Sequence, residues 1–444
     1  MDNNEKYEIL ADGDTGIPSS MGIIPAHLNF KLTKESIEAS LAQNKEFKLL
    51  SFTKNKDDSS FSSEIEYLDE TYSVNFYISV TSTIGLDDFG FANQILKEDF
   101  EAALRQPSFL EVSMFFGSEA LNSFHLQLKI MNAVVPDASL VVDFMSYRLL
   151  SARWLKMTAK SLVPPSPDYL YSLHAVYKEN AGRTEYWFHT HGLHRCRSVE
   201  LEIMNVFDGA QQMNDLITMV VKKFIKDPAK EKEKFQIGYD GLGINLSWLR
   251  WEEAVKDFPK DILGGPGDRE GDRNVHADPS GILFAVEDNN MVSPEIYAKT
   301  LGDNPIFYIS NEETTRMSNL AKERFRFFVD IFDKNKYRPK PKSFFSKIFG
   351  KKEEEPASWS FLVKFGIVVD DAKAETEKEH LWFRVIDICG NNVKGELLNQ
   401  PYWISGLKEG DITENTVDLL TDWIIYSPDG NTYTTDSIYQ LGYS

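Results

Sequence analysis

Residues 187–196 read WFHTHGLHRC and hold three of the eight histidines and one of the two cysteines of this 444-residue chain. In a β-strand, His189 and His191 point to the same face, about 6.6 Å apart along the strand, and can converge on one ion. The strand then breaks at a glycine, after which His194 and Cys196 can approach from the turn. Imidazole and thiolate groups are ligands for Zn²⁺ and related transition ions, so the stretch predicts a candidate metal site.

Two acidic residues in the following stretch, SVELEIMNV, leave that interpretation open. Glu200 and Glu202 share a strand face, and one hairpin register places His189 opposite Glu202 and His191 opposite Glu200. These carboxylates can complete a site for a divalent transition metal. They can equally accept hydrogen bonds from the histidines without any ion, as cross-strand pairs do. Because the spacing HxHxxHxC is not typical of structural zinc sites, the metal-free alternative is favoured and no cofactor is expected.

Other motifs give little support to familiar enzyme chemistry. The sequence contains no HExxH, GxSxG, P-loop or CxxC pattern. Residues 264–281, GGPGDREGDRNVHADPSG, are rich in Gly and Asp but lack the alternation and terminal Glu of a calcium loop. We therefore expect a surface loop there, long enough to serve as a lid.

The composition indicates a globular, acidic protein. Hydrophobic residues make up 42% of the chain, enough for large cores, and the formal net charge is −20. Phosphate binding needs clustered Lys and Arg, so nucleic-acid binding is not expected. The N-terminus lacks a secretory signal pattern, and no apolar run is long enough to span a membrane. With two distant cysteines, a cytoplasmic location is the simplest expectation.

Alternating helix-like and strand-like patterns predict an α+β fold with mixed, largely antiparallel sheets and flanking helices, followed by a small β-rich C-terminal module. The clearest boundary is a basic, proline-containing stretch with eight Lys or Arg residues against three Glu. Its residues 344–352 carry Phe and Ile among lysines, which allows weak contact with a surface. The predicted segments are a flexible N-terminus (1–20), an α+β domain (21–228), a second α+β subdomain (229–333), a basic linker (334–356) and the β-rich module (357–444).

The C-terminal module also resembles a known family. Its ordered landmarks include EHLW at 379–382, GEL at 395–397, GD at 410–411 and DW at 422–423. This pattern is similar to the bacterial domain of unknown function 2314. Upstream, WLKMTAKSLVPPSPDYLYSLHAVY and HTHGLHRCRSVELEI resemble the domain of unknown function 4026 family. Neither resemblance implies an established activity, and we interpret the C-terminal landmarks as determinants of the fold.

Two functions follow as hypotheses. The first is a non-enzymatic bacterial binding or interaction protein, of an immunity or stress-accessory type, whose acidic surface favours a basic protein partner. The second is a metal-dependent hydrolase that uses His189 and His191, with Glu200 or Glu202 as the general base on a metal-bound water. The first is preferred because catalytic signatures are lacking.

Overall fold

The structure is a computed structural model that describes residues 3–11, 16–57, 59–180, 182–239, 242–271, 274–303, 311–336, 358–374 and 377–442. It divides into two compact units, one formed by Met1–Lys160 and Pro164–Tyr308, the other by Ser161–Val163 and Ile309–Ser444. Most of the predicted linker 334–356, including the segment 344–352, lies outside the described residues.

The first unit contains an 8-stranded sheet. Its strands are β1 (Ser19–Pro25), β2 (Lys48–Lys54), β3 (Ser60–Tyr67), β4 (Glu70–Val80), β5 (Gly90–Phe91), β6 (Ser108–Met114), β7 (Ala138–Asp143) and β8 (Arg148–Ser151). They lie in the order β2-β3-β4-β6-β1-β7-β8-β5, antiparallel except for the pair of β5 and β8. The alternating pattern of β4 buries Tyr72, Val74 and Phe76 on one face, as its sequence predicts.

Helices precede, connect and follow these strands. They are α1 (Asn3–Ala11), α2 (Lys34–Gln43), α3 (Lys97–Leu104), α4 (Ala120–Val134) and α5 (Ala152–Ala159). The side chain of Thr33 caps α2 by accepting a hydrogen bond from the amide of Ser36. Tyr7 of α1 is buried and its hydroxyl donates to the carbonyl oxygen of Ser280, 2.8 Å away. The predicted flexible N-terminus (1–20) therefore includes a docked helix, because Tyr7 and Leu10 have an apolar surface to cover.

A second sheet in the same unit has seven strands. They are β9 (Ser172–Asn180), β10 (Arg183–His191), β11 (Glu200–Val206), β12 (Phe235–Tyr239), β13 (Leu242–Arg250), β14 (Ser280–Glu287) and β15 (Asn290–Val292). The order is β12-β13-β14-β11-β10-β9, with β15 paired to β14. Only β11 and β14, among these described pairs, run parallel. The helices that follow or interrupt the strands are α6 (Ala210–Lys226), α7 (Trp251–Ala254) and α8 (Ala298–Asp303).

The predicted boundary between 21–228 and 229–333 falls inside this second sheet. Strand β14, from the later segment, pairs with β11 from the earlier one. Cutting the chain near residue 228 would separate these strands and expose the core between α6 and the sheet. Local sequence patterns could not show this, because the pairing joins residues about 80 positions apart.

The second unit combines a long helix with a 6-stranded antiparallel sheet. Its elements are α9 (Asn311–Asn335), β16 (Ser360–Val368), β17 (Lys378–Cys389), β18 (Asn392–Leu397), β19 (Ile412–Thr416), β20 (Leu420–Tyr426) and β21 (Thr432–Thr434). The strand order is β19-β18-β17-β16-β20-β21. The indole nitrogen of Trp423 donates to the carbonyl oxygen of Ala321 on α9, at 3.0 Å. Thus α9, most of which falls within the predicted subdomain 229–333, packs on the C-terminal sheet.

The neighbouring residues Glu379 and His380 point in different directions on β17. The buried Glu379 accepts hydrogen bonds from the amides of Tyr402 and Trp403 through its two oxygens, at 2.8 and 3.0 Å. His380 instead contacts the hydroxyl of Thr421, at 3.2 Å. Glu379 therefore fixes a loop, which agrees with our interpretation of the landmark residues as fold determinants.

These elements confirm the predicted α+β class, with largely antiparallel sheets and a β-rich C-terminal sheet. No helix within the described residues is long and apolar enough to cross a membrane.

A buried ion pair joins the two sheets of the first unit. Arg195 follows β10 in a short 3₁₀ turn, Leu193–Cys196, and Asp143 ends β7. Both side chains are fully buried, and the guanidinium donates to both carboxylate oxygens, at 3.1 and 2.7 Å. The same guanidinium donates to the carbonyl oxygen of Leu170 just before β9. One side chain thereby fixes the ends of three strands.

Replacing Arg195 by Met should lower the free energy of unfolding by about 3–5 kcal/mol, because Asp143 would stay buried without its counter-charge. The loss is measured by urea unfolding followed by circular dichroism. The double variant Arg195→Met, Asp143→Leu removes both charges and should be more stable than the single variant. A single variant as stable as the wild type would contradict this role of the pair.

Candidate metal centre

Three histidines converge on one face of the second sheet. His189 and His191 alternate along β10, and His174 lies directly opposite His189 on β9. Residues opposite each other in antiparallel strands share a face, so the three rings meet. Their nearest ring nitrogens all lie within 4.8 Å of one another. His189 and His191 are buried, whereas His174 is exposed, so the cluster can be reached from solvent.

A fourth histidine comes from the long loop between β13 and β14. His276 sits in a 3₁₀ turn, Val275–Ala277, within the Gly- and Asp-rich segment identified in the sequence. Its ring centroid is 4.6 Å from that of His189 and 5.4 Å from that of His191. The expected surface loop thus supplies a wall of the cluster.

The central imidazole, His189, lacks a hydrogen-bonding partner within the described part of the chain. Among the residues that the structure describes, neither ring nitrogen of His189 is paired, although the side chain is only 2% exposed. The Nδ1 atom of His276 is also buried and without a partner in the described part of the chain. An unsatisfied buried polar group costs about 1–3 kcal/mol, so native structures rarely keep one without a reason.

The cluster holds its imidazoles in the neutral form. Burial, together with the nearby His191, His276 and His174, lowers the pKa of His189 to about 2. Burial likewise lowers the pKa of His191 to about 3, with contributions from His174 and His276. The pKa values of His174 and His276 are also lowered, mainly by burial. A neutral imidazole is the form that binds metal ions.

Glu202 lies opposite His189, as the predicted hairpin register requires, but it serves other partners. Arg269 binds its two oxygens at 2.9 and 2.6 Å, and the indole nitrogen of Trp187 donates to it at 2.6 Å. The hydroxyl of Ser280 donates to the same carboxylate. Trp187, held in this way, packs against His189 with ring centroids 4.2 Å apart. Glu202 therefore holds Trp187 in place beside the histidine cluster.

Glu200 is occupied at the turn that follows β10. Its carboxylate accepts hydrogen bonds from the hydroxyl of Thr190 and from the amides of Gly192 and Leu193, at 2.7, 2.7 and 2.9 Å. Gly192 has a φ of 114°, and a Cβ there would meet the carbonyl oxygen of Leu170 at 2.4 Å. The sharp turn thus needs glycine and a buried acceptor, and Glu200 supplies the acceptor.

His194 and Cys196 do not join the three converging histidines. The Nε2 atom of His194 contacts the carbonyl oxygen of Pro279, 2.8 Å away. Cys196 is a buried free cysteine, and burial raises the pKa of its thiol to about 12. A thiol held in this way is a poor source of thiolate. The structure therefore places His174, rather than His194 or Cys196, beside His189 and His191.

Acidification should destabilise the cluster. Because its pKa is low in the folded protein, His189 binds no proton between pH ~6.5 and ~3. The same histidine in the unfolded chain is protonated in that range. The free energy of unfolding therefore falls as pH falls through that window. From pH 7 to pH 5 one such histidine loses about 2 kcal/mol. In chelator-treated protein, the stability difference between wild type and His189→Gln should shrink by about that amount, as measured by urea unfolding.

The exposed His27 provides a matched control for this measurement. The variant His27→Gln should follow the wild type at both pH values. A difference between wild type and His189→Gln that is equal at pH 7 and pH 5 would contradict a neutral, buried His189.

Comparison with known families assigns most of the chain. Residues 19–165 match the model described as "Protein of unknown function (DUF4026) N-terminal", and residues 173–284 match its C-terminal counterpart. Residues 319–440 match "Uncharacterized protein conserved in bacteria (DUF2314)". All four clustered histidines lie within the second match, and α9 overlaps the third. No curated protein and no solved structure matches the chain.

Proposed function

The chain belongs to the DUF4026 family and ends in a DUF2314 domain, and because neither description carries an activity, we propose from the histidine cluster that the protein binds a divalent transition-metal ion. The observation that carries this proposal is the buried His189 between His174 and His191, whose two ring nitrogens have no partner among the described residues. An ion bound by these rings would satisfy a group that the described residues leave unpaired.

The spacing of the three rings supports this proposal. Their centroids are 5.1, 5.1 and 5.0 Å apart. With Zn–N bonds of about 2.0–2.1 Å, ring centroids lie about 3.2 Å from the ion, and a tetrahedral arrangement separates them by about 5.2 Å. The nitrogens, within 4.8 Å of one another, must approach to about 3.3 Å. Because the ring centres already have suitable separations, turning each ring about its Cβ–Cγ bond would bring the nitrogens closer together.

The donor set favours particular ions. Imidazole nitrogens suit Zn²⁺, Cu²⁺, Ni²⁺ and Co²⁺, whereas Mg²⁺ and Ca²⁺ prefer oxygen ligands. The carboxylates beside the cluster, Glu200 and Glu202, are bound to other groups. We therefore expect Zn²⁺ to bind and Mg²⁺ not to compete.

Within this proposal, the bound ion serves binding rather than hydrolysis. Hydrolysis at a metal needs a base beside the metal-bound water. The two glutamates considered for that role are held by Arg269 and by the turn after β10. The hydrolase alternative rests on three imidazoles with an open fourth position, a set known from catalytic zinc sites. Hydrolysis of a p-nitrophenyl ester by the Zn²⁺-loaded protein, lost in His189→Gln, would favour that alternative.

An interaction with a basic protein in the cytoplasm completes the proposal, and the net charge of −20 supports it. No nucleic-acid ligand is proposed. Exposed charges are screened over about 8 Å at physiological salt, so such a partner should dissociate from the immobilised protein as salt rises. Retention that is independent of salt would argue against a charge-based partner.

The metal test uses chelator-treated protein and Zn²⁺ titration by calorimetry. The wild type should bind one ion per chain, and Mg²⁺ at the same concentration should give no heat. Removing a direct ligand should weaken binding at least about 100-fold, because losing even an outer partner of a ligand costs 10–100-fold. His174→Gln and His189→Gln should both show this loss.

His174 is exposed, so His174→Gln tests the ligand set without disturbing the core. His27→Gln, which also replaces an exposed histidine, should keep the wild-type affinity. Absence of stoichiometric Zn²⁺ binding by the wild type, or equal affinity in His174→Gln, would overturn the proposal.

A further inference from the structure

We propose that His276 is the fourth ligand, so that the bound ion is enclosed by four imidazoles. This inference rests on the proposed metal binding and adds a residue from the loop between β13 and β14 to the three strand histidines. It also favours a closed binding site over a catalytic metal site, because four nitrogen ligands leave no coordination position for a reacting water.

The position of His276 supports this role. Its centroid separations from His189 and His191, 4.6 and 5.4 Å, lie on either side of the ~5.2 Å expected around a tetrahedral ion. Its Nδ1 atom is buried and unpaired within the described part of the chain. The ring is not among the three whose nitrogens already approach within 4.8 Å, so it must turn toward the ion.

The backbone around His276 is already fixed, so the motion needed is that of a side chain. Arg269 donates to the carbonyl oxygen of His276 at 2.7 Å while it binds Glu202 on β11. The side chain of Asn274 accepts a hydrogen bond from the amide of His276 and donates to the carbonyl oxygen of Glu270. These bonds hold the loop against the sheet. Turning the ring about its Cβ–Cγ bond, which leaves the centroid in place, would then point Nδ1 or Nε2 toward the ion.

The Gly- and Asp-rich segment, whose first residue is Gly264, also lies close to the histidine cluster. Gly264 has a φ of 80°, and a Cβ there would lie 2.5 Å from the ring of Trp187, which packs on His189. The backbone of Gly264 therefore lies close to the ring of Trp187. Through Gly264, Arg269 and His276 the loop contacts Trp187, Glu202 and His189, respectively. An ion bound to His276 would tie this loop to the β9–β10 hairpin.

The test combines affinity with a count of imidazole ligands. In wild-type protein loaded with Zn²⁺, X-ray absorption at the zinc edge should show four imidazole rings by their multiple scattering. His276→Gln should show three rings and a light oxygen ligand, with affinity for Zn²⁺ at least about 100-fold weaker. His27→Gln is the control and should keep four rings.

A second variant separates ligation from folding. His276→Ala leaves space beside the ion, and added imidazole should restore both the fourth ring and the affinity. If the wild type binds Zn²⁺ with three rings and His276→Gln binds it equally well, this inference is overturned while the proposed metal binding stands. If the wild type binds no Zn²⁺, both fail.

Discussion

The pairing of Arg195 with Asp143 is the constraint on which the first unit depends. A buried charge is tolerated only when its partner is also buried and well bonded, so this pair forces the turn after β10 onto the end of β7. The same guanidinium holds Leu170 before β9, which aligns the two strands that carry His174, His189 and His191. On the other side of the pair, the turn between β7 and β8 brings the ring of Tyr147 within 5.1 Å of His191. One ion pair thereby sets the frame and one wall of the histidine cluster.

Inside this frame, Glu200 and Glu202 are engaged with groups other than the histidines. Glu202 binds Arg269, which stacks on Trp251 with its guanidinium 4.5 Å from the ring centroid. Glu200 satisfies the amides of the turn. As a result, His189 is buried among rings and has no hydrogen-bonding partner in the described residues. A histidine in this position stays neutral, and the proposed ion would bind one ring nitrogen of His189 and one of His276.

The histidine cluster was only partly predictable. Strand alternation was enough to place His189 and His191 on one face, and the register with Glu202 followed from the hairpin assumption. His174 was predictable in principle, because a turn at Gly182 between β9 and β10 sets His174 opposite His189. His276 gave no such signal, since it lies in an irregular loop whose path follows from contacts with Glu202 and Trp187. Likewise, nothing local showed that α9 packs on the C-terminal sheet.

The sequence by itself determined the class of fold, the strand face shared by two histidines and the resemblance to both families, because periodicity and ordered landmarks are local properties of the chain. Only the tertiary structure decided which partner each charged group takes. Glu200 and Glu202 were equally suited to bind a metal, a histidine or a backbone amide, and the choice depended on Arg269 and on a turn at Gly192. Burial decided the rest. Whether an imidazole is a satisfied strand residue or an unpaired ligand depends on what surrounds it, and those neighbours come from segments up to about 100 positions away.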